Sequence, residues 1–272
     1  MIDTHCHLDM PRFDLDRDAV VTRARAAGVT AMVIPGVEPD RWALTEAQAS
    51  PGERFIALGI HPQVVPDLDD AVIQRGLGDL ATRLRASGAV AVGECGLDTT
   101  IDLAIAPMDR QRRVLEAHIE IARTLDLPLI LHVLRAHDDA LRVLRAARLP
   151  RNPGAIHSFS GSAELAKQYL ALGFHLSFAG SVTRTNARRP VESARITPIE
   201  RLLVETDAPD QAPNGAPPSG PDGRRCEPAH LGLTIARLAS IRGEDPLELA
   251  RSTAENARKL FALPLPNVPA PV

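Results

Sequence analysis

Eight short runs of β-forming and small apolar residues recur along the chain at intervals of roughly 20 to 40 residues: "MIDTH" (1–5), "AMVIP" (31–35), "FIALGI" (55–60), "AVAVGE" (89–94), "LPLILH" (127–132), "GAIHSF" (154–159), "FHLSFA" (174–179) and "LLVETD" (202–207). Most are separated by stretches with helical spacing of Leu, Val, Ile and Ala. "DLDRDAVVTRARAAG" carries acids in its first turn and Gly28 at its end, and "MDRQRRVLEAHIEIARTLD" and "AELAKQYLALG" follow the same plan. Strands alternating with helices of this length predict βα units on a parallel sheet. Eight units in 272 residues predict an α/β protein of the (β/α)8 TIM-barrel class, which needs about 250 residues. An open doubly wound sheet would be expected to carry a glycine-rich phosphate turn, and neither GxGxxG nor GxxxxGK[ST] occurs. With no internal repeat and no linker between two cores, the expectation is one domain over 1–265 and a Pro-rich tail over 266–272. The segment 208–228, "APDQAPNGAPPSGPDGRRCEP", is either a disordered insertion or an ordered loop over the barrel mouth.

Acidic and imidazole side chains fall at matching places in these runs. His5 and His7 end the first, Glu94 the fourth, His132 the fifth and Asp207 the eighth, while His157 sits late in the sixth. In a barrel the C-terminal strand ends form one face, where groups from distant parts of the chain converge. A lone histidine late in a strand is more often a hydrogen-bonded core residue, and an acid there often caps the next helix. Six such groups at the ends of five strands are poorly explained by capping. Two imidazoles one residue apart, with carboxylates nearby, are what a divalent cation asks for.

Other polar residues carry weaker signals. His61, in "GIHP", follows the third run and is a candidate substrate contact. His118 and His175 read as structural, and His137 and His230 stay open. Cys6 and Cys95 sit beside candidate ligands, but strand alternation turns them away from the lumen, under the helices. Glu205 shares a face with Asp207 and either orients a ligand or packs with an arginine.

Net charge is -3 and the pI about 6.3, so no overall basic field draws the chain to nucleic acid or anionic lipid. Only Lys167 and Lys259 are lysines, leaving 29 arginines among 31 basic residues, for which solvated helix faces are the ordinary explanation. No apolar run approaches the roughly 18 residues needed to cross a bilayer. Acid and histidine stand where a signal peptide would need a basic and then an apolar stretch, and three cysteines without a CxxC pair fit a reducing compartment; the expectation is a cytoplasmic protein with no membrane association and no obligate protein partner.

The motifs "DTHCHLD", "GIHP", "GECGLD", "LILH", "HSFSGS", "GFHLSFAG", "LLVETDAP" and "STAENARKLF", in that order, resemble the TatD family of metal-dependent hydrolases among the amidohydrolase-like barrels. The resemblance implies a centre of two divalent metal ions (Mg, Mn or Zn): His5, His7 and Asp207 on one, His132 and His157 on the other, Glu94 bridging. It implies a deoxyribonuclease that removes nucleotides from the ends of single-stranded DNA, with Asp207 as general base and Glu94 as the second catalytic carboxylate. Arg135 and Arg225, with His61, are the candidate substrate contacts. Four departures from the family pattern touch none of the six metal-site groups: Leu134 where an arginine is common, Thr99 where an aromatic usually follows G-L-D, Asp210 where tyrosine is frequent, and Cys226 in place of asparagine after Arg225. Trp42, Tyr169 and six phenylalanines are the only aromatic residues, too few for a long track of stacked bases. The competing reading is a small-molecule ester, amide, lactone or phosphoester hydrolase using the same metals. The carboxylated lysine that commonly bridges such sites has no counterpart here, since neither Lys167 nor Lys259 ends a strand, and this favours the nuclease branch.

Overall fold

The computed structural model describes residues 1–104 and 106–264, so the expected tail at 266–272 lies outside the described residues. Eight parallel strands run in chain order: β1 (Ile2–Asp3), β2 (Ala31–Gly36), β3 (Arg54–Leu58), β4 (Ala91–Asp98), β5 (Leu129–Leu134), β6 (Gly154–Ile156), β7 (His175–Phe178) and β8 (Leu202–Val204). Helices α1 (Arg17–Ala26), α2 (Trp42–Glu46), α3 (Asp70–Ser87), α4 (Met108–Leu125), α5 (His137–Ala146), α6 (Ala163–Ala171) and α7 (Arg188–Ile196) fall between successive strands, and α8 (Leu231–Arg242) and α9 (Pro246–Leu260) follow the last. This is the predicted TIM barrel. No described helix is long and apolar enough to cross a membrane.

Period-two alternation sorts the strand residues into two layers. Met32 and Ile34 face the helices, whereas Val33, between them, joins the inner cluster with Ala57, Ala91, Ala155 and Leu203. Four of the inner residues, Ala31, Ala57, Ala91 and Ala155, are small, and Leu260 at the end of α9, with Phe261 and Leu263 just past it, fills the space they leave. One end of the lumen is therefore an apolar plug, and the polar groups have the other.

The sheet closes where β1 and β8 have already ended. Thr4 N–H donates to the Val204 carbonyl at 3.2 Å, Asp207 N–H to that of His5 at 2.9 Å, and His7 N–H to that of Ala208 at 2.7 Å. The expected strands 1–5, 154–159 and 202–207 are thus shorter than their sequence runs. His5, His7, His157 and Asp207 come from the segments just past the strands, while Glu94 and His132 lie inside β4 and β5, which continue further than expected. Five strands still deliver the six groups to one mouth.

The β4–β5 pairing shifts register between Val92 and Cys95, around Glu94. Two glycines frame the irregularity. Gly96 has φ +149°, and a Cβ there would stand 1.9 Å from the His132 carbonyl oxygen. Backbone strain of about 1–3 kcal/mol adds to that collision. Gly96→Ala is expected to lower unfolding stability by at least about 2 kcal/mol in urea titration; an unchanged midpoint would show that β4 and β5 have room to separate.

Candidate metal centre

A cleft of about 530 Å³ opens at the polar end of the barrel, and Glu94 is its floor. The side chain is 1% exposed. Its two oxygens face different imidazoles: Oε2 lies 3.1 Å from His5 Nε2 and 3.4 Å from His7 Nε2, and Oε1 lies 2.8 Å from His157 Nε2, 3.2 Å from His132 Nδ1 and 2.9 Å from His61 Nε2. Asp207 brings Oδ1 to 3.7 Å from both His5 and His7. The structure brings together all six groups picked out as candidate ligands.

Neighbouring groups set which ring nitrogen is free. His7 Nδ1 faces the Pro35 carbonyl at 3.3 Å, which assigns its hydrogen there and leaves Nε2 as a lone pair aimed at the centre. His132 Nε2 donates to Asp98 Oδ2 at 3.1 Å, so its Nδ1 is the free nitrogen. Asp98 is in turn held by Thr100 N–H at 2.7 Å and the Gln63 amide at 2.9 Å. His157 Nδ1 faces Glu205 Oε1 at 3.4 Å, and that oxygen accepts Ser158 N–H at 2.5 Å. Glu205 thus sits behind an imidazole, with no arginine partner among the described residues. His61 is the reverse case. Its Nδ1 accepts Gln63 N–H at 3.1 Å, which puts the hydrogen on Nε2 and makes it a donor toward Glu94.

Electrostatics follow from burial against these partners. Burial pushes the Glu94 carboxyl up, but His61, His157 and His5 outweigh it and hold the group well below the usual carboxylate range. Burial alone lowers His132 and His157, yet both end raised, His132 by Asp98 and Glu94, His157 by Glu94 and Glu205. His61, lacking a second carboxylate, is pulled down by burial to about 4.

The donor set fits cations. His5 Nε2 and His7 Nε2 stand 3.1 Å apart, close to the roughly 3.4 Å expected of two nitrogens on one tetrahedral ion at about 2.0–2.1 Å. Glu94 Oε2 and His5 Nδ1 are buried without a hydrogen-bond partner among the described residues, a costly arrangement unless something positive lies between the groups. Close groupings that could hold an ion include His5, His7 and Asp207, and His61, Glu94 and His132.

This combination of barrel and centre recurs among known proteins. The family described as TatD related DNase matches residues 2–262. The chain belongs to that family. It is 34% identical over 264 residues to the metal-dependent hydrolase YjjV of Escherichia coli, covering 97% of this chain and 98% of that one. It is 36% identical over 274 residues to the 3'-5' ssDNA/RNA exonuclease TatD of Erwinia billingiae, covering 97% and 100%. The crystal structure of Escherichia coli YjjV superimposes with a TM-score of 0.87 over 97% of this chain and 98% of that chain. As a TatD-family protein it is a metal-dependent hydrolase.

Against that frame of relatives, two expected substrate contacts lie elsewhere. Arg135 has φ +54° and is exposed, outside the lining of the cleft, with its carbonyl accepting Thr99 Oγ1–H at 3.2 Å. Arg225 is 2% exposed and committed to carboxylates: Nη1 lies 2.7 Å from Asp16 Oδ1 and Nη2 2.8 Å from Glu227 Oε1, and the guanidinium sits 4.8 Å over the Phe13 ring. It ties the segment 208–228 to the loop before α1, so the segment is an ordered loop beside the mouth. Asp210, an added negative charge in the lining, is paired with Arg12 at 2.9 Å.

Four residues at the site were missed from sequence. Asp98 stands in the quoted "GECGLD" but its partner is set by the β4–β5 register. Gln63 and Gln211 give no motif; Gln211 donates to Asp207 Oδ2 and to Ser158 Oγ. Arg184 is one arginine among many, yet it lines the cleft. The remaining histidines outside it are structural where their bonds are clear: His118 accepts Ile60 N–H at 3.0 Å and donates to Val114 at 2.7 Å, anchoring the segment before His61.

Hydrogen bonds from Arg225 and Arg23 hold Asp16 down to about 2, and Glu227, which burial alone would raise, is pulled to about 2 by Arg23, Ser219 and Arg225. Both folded values are depressed, so their stabilisation is complete above the ordinary carboxylate range of about 4 and is lost as pH falls toward 2. Arg225→Ala is expected to cost about 2 kcal/mol at neutral pH, because Asp16 and Glu227 each lose one of the two guanidinium groups that hold them and keep only Arg23. Urea unfolding at several pH values should show the gap from wild type narrowing below pH about 4; a gap independent of pH would assign the loss to packing on Phe13.

Proposed function

We propose that this hydrolase is a two-metal exonuclease that releases nucleotides from single-stranded DNA or RNA, in the 3′-to-5′ direction carried by the name of the Erwinia relative. The observation that carries the reading is the division of Glu94, one oxygen toward His5 and His7, the other toward His132 and His157. In this reading His5, His7 and Asp207 hold one cation, His132 and His157 the other, and Glu94 bridges. Divalent ions there would supply Lewis-acid polarisation of the phosphoryl oxygens and acidify the attacking water. Mg, Mn and Zn all suit the mixed imidazole and carboxylate set.

The protein's own groups divide the remaining work. Asp207 is 13% exposed, and Gln211 fixes its Oδ2, leaving Oδ1 turned to the centre. That is the position for accepting the proton of the attacking water. His61 donates Nε2–H to Glu94 Oε1 at 2.9 Å and helps hold that carboxylate, with Gln63 preserving the tautomer. Asp98 keeps His132 oriented by a hydrogen bond, and Glu205, 3.4 Å from His157 Nδ1, places a negative charge behind that ring. The three cysteines are buried and unpaired, which supports a reducing location, the cytoplasm.

Incubation with Mg, Mn or Zn and end-labelled single-stranded oligonucleotides is expected to release mononucleotides, with chelator stopping the reaction and Glu94→Ala abolishing it. Cleavage surviving in Glu94→Ala would remove the proposed centre from the mechanism. Turnover confined to small esters or lactones would move the chain to the small-molecule branch. Asp98→Ala is expected to weaken metal binding about 10–100-fold in calorimetric titration, since His132 loses its orientation; unchanged affinity would make Asp98 dispensable.

A further inference from the structure

The grip on substrate has few possible sources in this cleft. All six phenylalanines, Trp42 and Tyr169 are buried, and none of them lines the cleft, so no such ring is free to stack a base. With base stacking on such a ring absent among the described residues, the sugar-phosphate backbone is the part of a strand that a cationic group in the cleft can grip. Among the described residues lining the cleft, Arg184 is the single arginine or lysine. Its side chain makes no hydrogen bond or ion pair with the described residues, in contrast to Arg12 and Arg225 nearby in the mouth loops.

The surroundings of Arg184 suit an anion. It follows the turn Gly180–Thr183 after β7, fixed by its own N–H donating to the Ser181 carbonyl at 3.2 Å. Ser160 and Ser181 line the same cleft, and neither hydroxyl has a partner among the described residues. Four and five residues on, Arg188 and Arg189 open α7, whose first turn carries no acid. Cations there oppose the helix dipole, so this flank is electropositive although the chain as a whole is net negative. A free guanidinium with two unpartnered hydroxyls matches the donors that hold phosphate in nucleic-acid complexes.

Resting on the exonuclease reading, we propose that Arg184, assisted by Ser160 and Ser181, seats the backbone phosphate next to the one being cleaved. The occupant is a phosphodiester or phosphomonoester on the neighbouring nucleotide. The consequence is a substrate rule: two adjacent phosphates are preferred over one. Arg184 is a positioning residue for the rest of the strand and takes no part in the chemical step.

The test uses the metal-loaded protein and two thymidine dinucleotides that differ by a single 5′-phosphate. Wild type should favour the phosphorylated dinucleotide in kcat/KM by about ten- to a hundredfold, mainly through KM, the range of a charge-assisted hydrogen bond. Arg184→Ala should erase that preference while leaving the dinucleotide without the extra phosphate within about twofold of wild type; Arg184→Lys should restore part of it. On a longer strand the slope of log kcat/KM against log salt should flatten by about 0.7, one phosphate contact fewer. Melting temperature should not move, because Arg184 is exposed and unpartnered. If wild type shows no preference, or Arg184→Ala slows both dinucleotides equally, the seat is wrong although the nuclease stands. If wild type cleaves neither these nor an oligonucleotide, the nuclease reading fails and the seat with it.

Discussion

A carboxylate buried at the centre of a ring of imidazoles governs the rest of this molecule. Glu94 is 1% exposed and has five imidazole nitrogens within 3.4 Å. Burying such a charge is expensive unless partners compensate it. The compensation here is a layered alternation of sign. Glu94 sits inside the imidazoles, and Asp98 and Glu205 sit behind His132 and His157. Each outer carboxylate is itself held by backbone N–H or amide donors. The inner faces of His5 and His7 present two nitrogens 3.1 Å apart to one carboxylate oxygen that has no hydrogen bond among the described residues. A buried donor set of that kind is suited to holding cations.

Closure of the barrel and assembly of the centre are the same event. The strands β1 and β8 are too short to meet as a ladder, and the bonds joining them are made by Thr4, His7 and Asp207 from the segments beyond. Those segments also carry His5, His7 and Asp207 as candidate ligands. Between them, Asp3 accepts both the backbone N–H and the hydroxyl of Thr206, at 2.9 and 2.5 Å. A slip of one residue at this seam would turn the ligands out of the lumen and open the sheet together. The apolar plug at the end of α9 fills the opposite end, so among the described residues the polar side chains of the lumen gather at the mouth.

How much of this was legible in the sequence depends on the range of the interactions involved. Strand number, order and the convergence of six groups follow from local patterning: runs of β-formers, glycine or acid at helix ends, and polar residues at repeated offsets. The lengths of β1, β6 and β8 were overestimated because a residue leaving a strand keeps its apolar neighbours. Glu94 and His132 seemed to end their strands for the opposite reason, since "CGLD" and "VL" contain glycine, acid or too few residues to extend a pattern. Tertiary partners were not legible at all. Asp98 meets His132 only through the β4–β5 register, and that register shifts midway. Arg225 looked like a phosphate ligand by residue type, but folding of the 208–228 loop onto Asp16 and Phe13 consumes its guanidinium. Arg184 was hidden for the complementary reason: nothing in the order of residues distinguishes a free arginine from the many that are paired.

The centre and the mouth differ in how freely they can change. Several groups on the floor have their orientation fixed by another: His132 by Asp98, Asp98 by Gln63 and Thr100, Asp207 by Gln211, Gln211 by Ser158. Replacing one leaves its partner with an unsatisfied buried charge or donor, so substitutions there must come in concert. The mouth has no such linkage. Leu134, Asp210 and Arg184 each line the cleft from a different loop or strand end; Asp210 is neutralised from outside by Arg12, and Arg184 is not committed to any partner among the described residues. Their side chains can be exchanged singly at little cost to the fold. Two of the departures noted in the sequence from the pattern that the resemblance implies, Leu134 and Asp210, fall in that permissive layer, whereas Cys226 is fully buried in the 208–228 loop. The floor therefore fixes the groups that would hold cations, whereas the side chains that meet whatever enters the cleft are constrained by neither folding nor closure of the barrel.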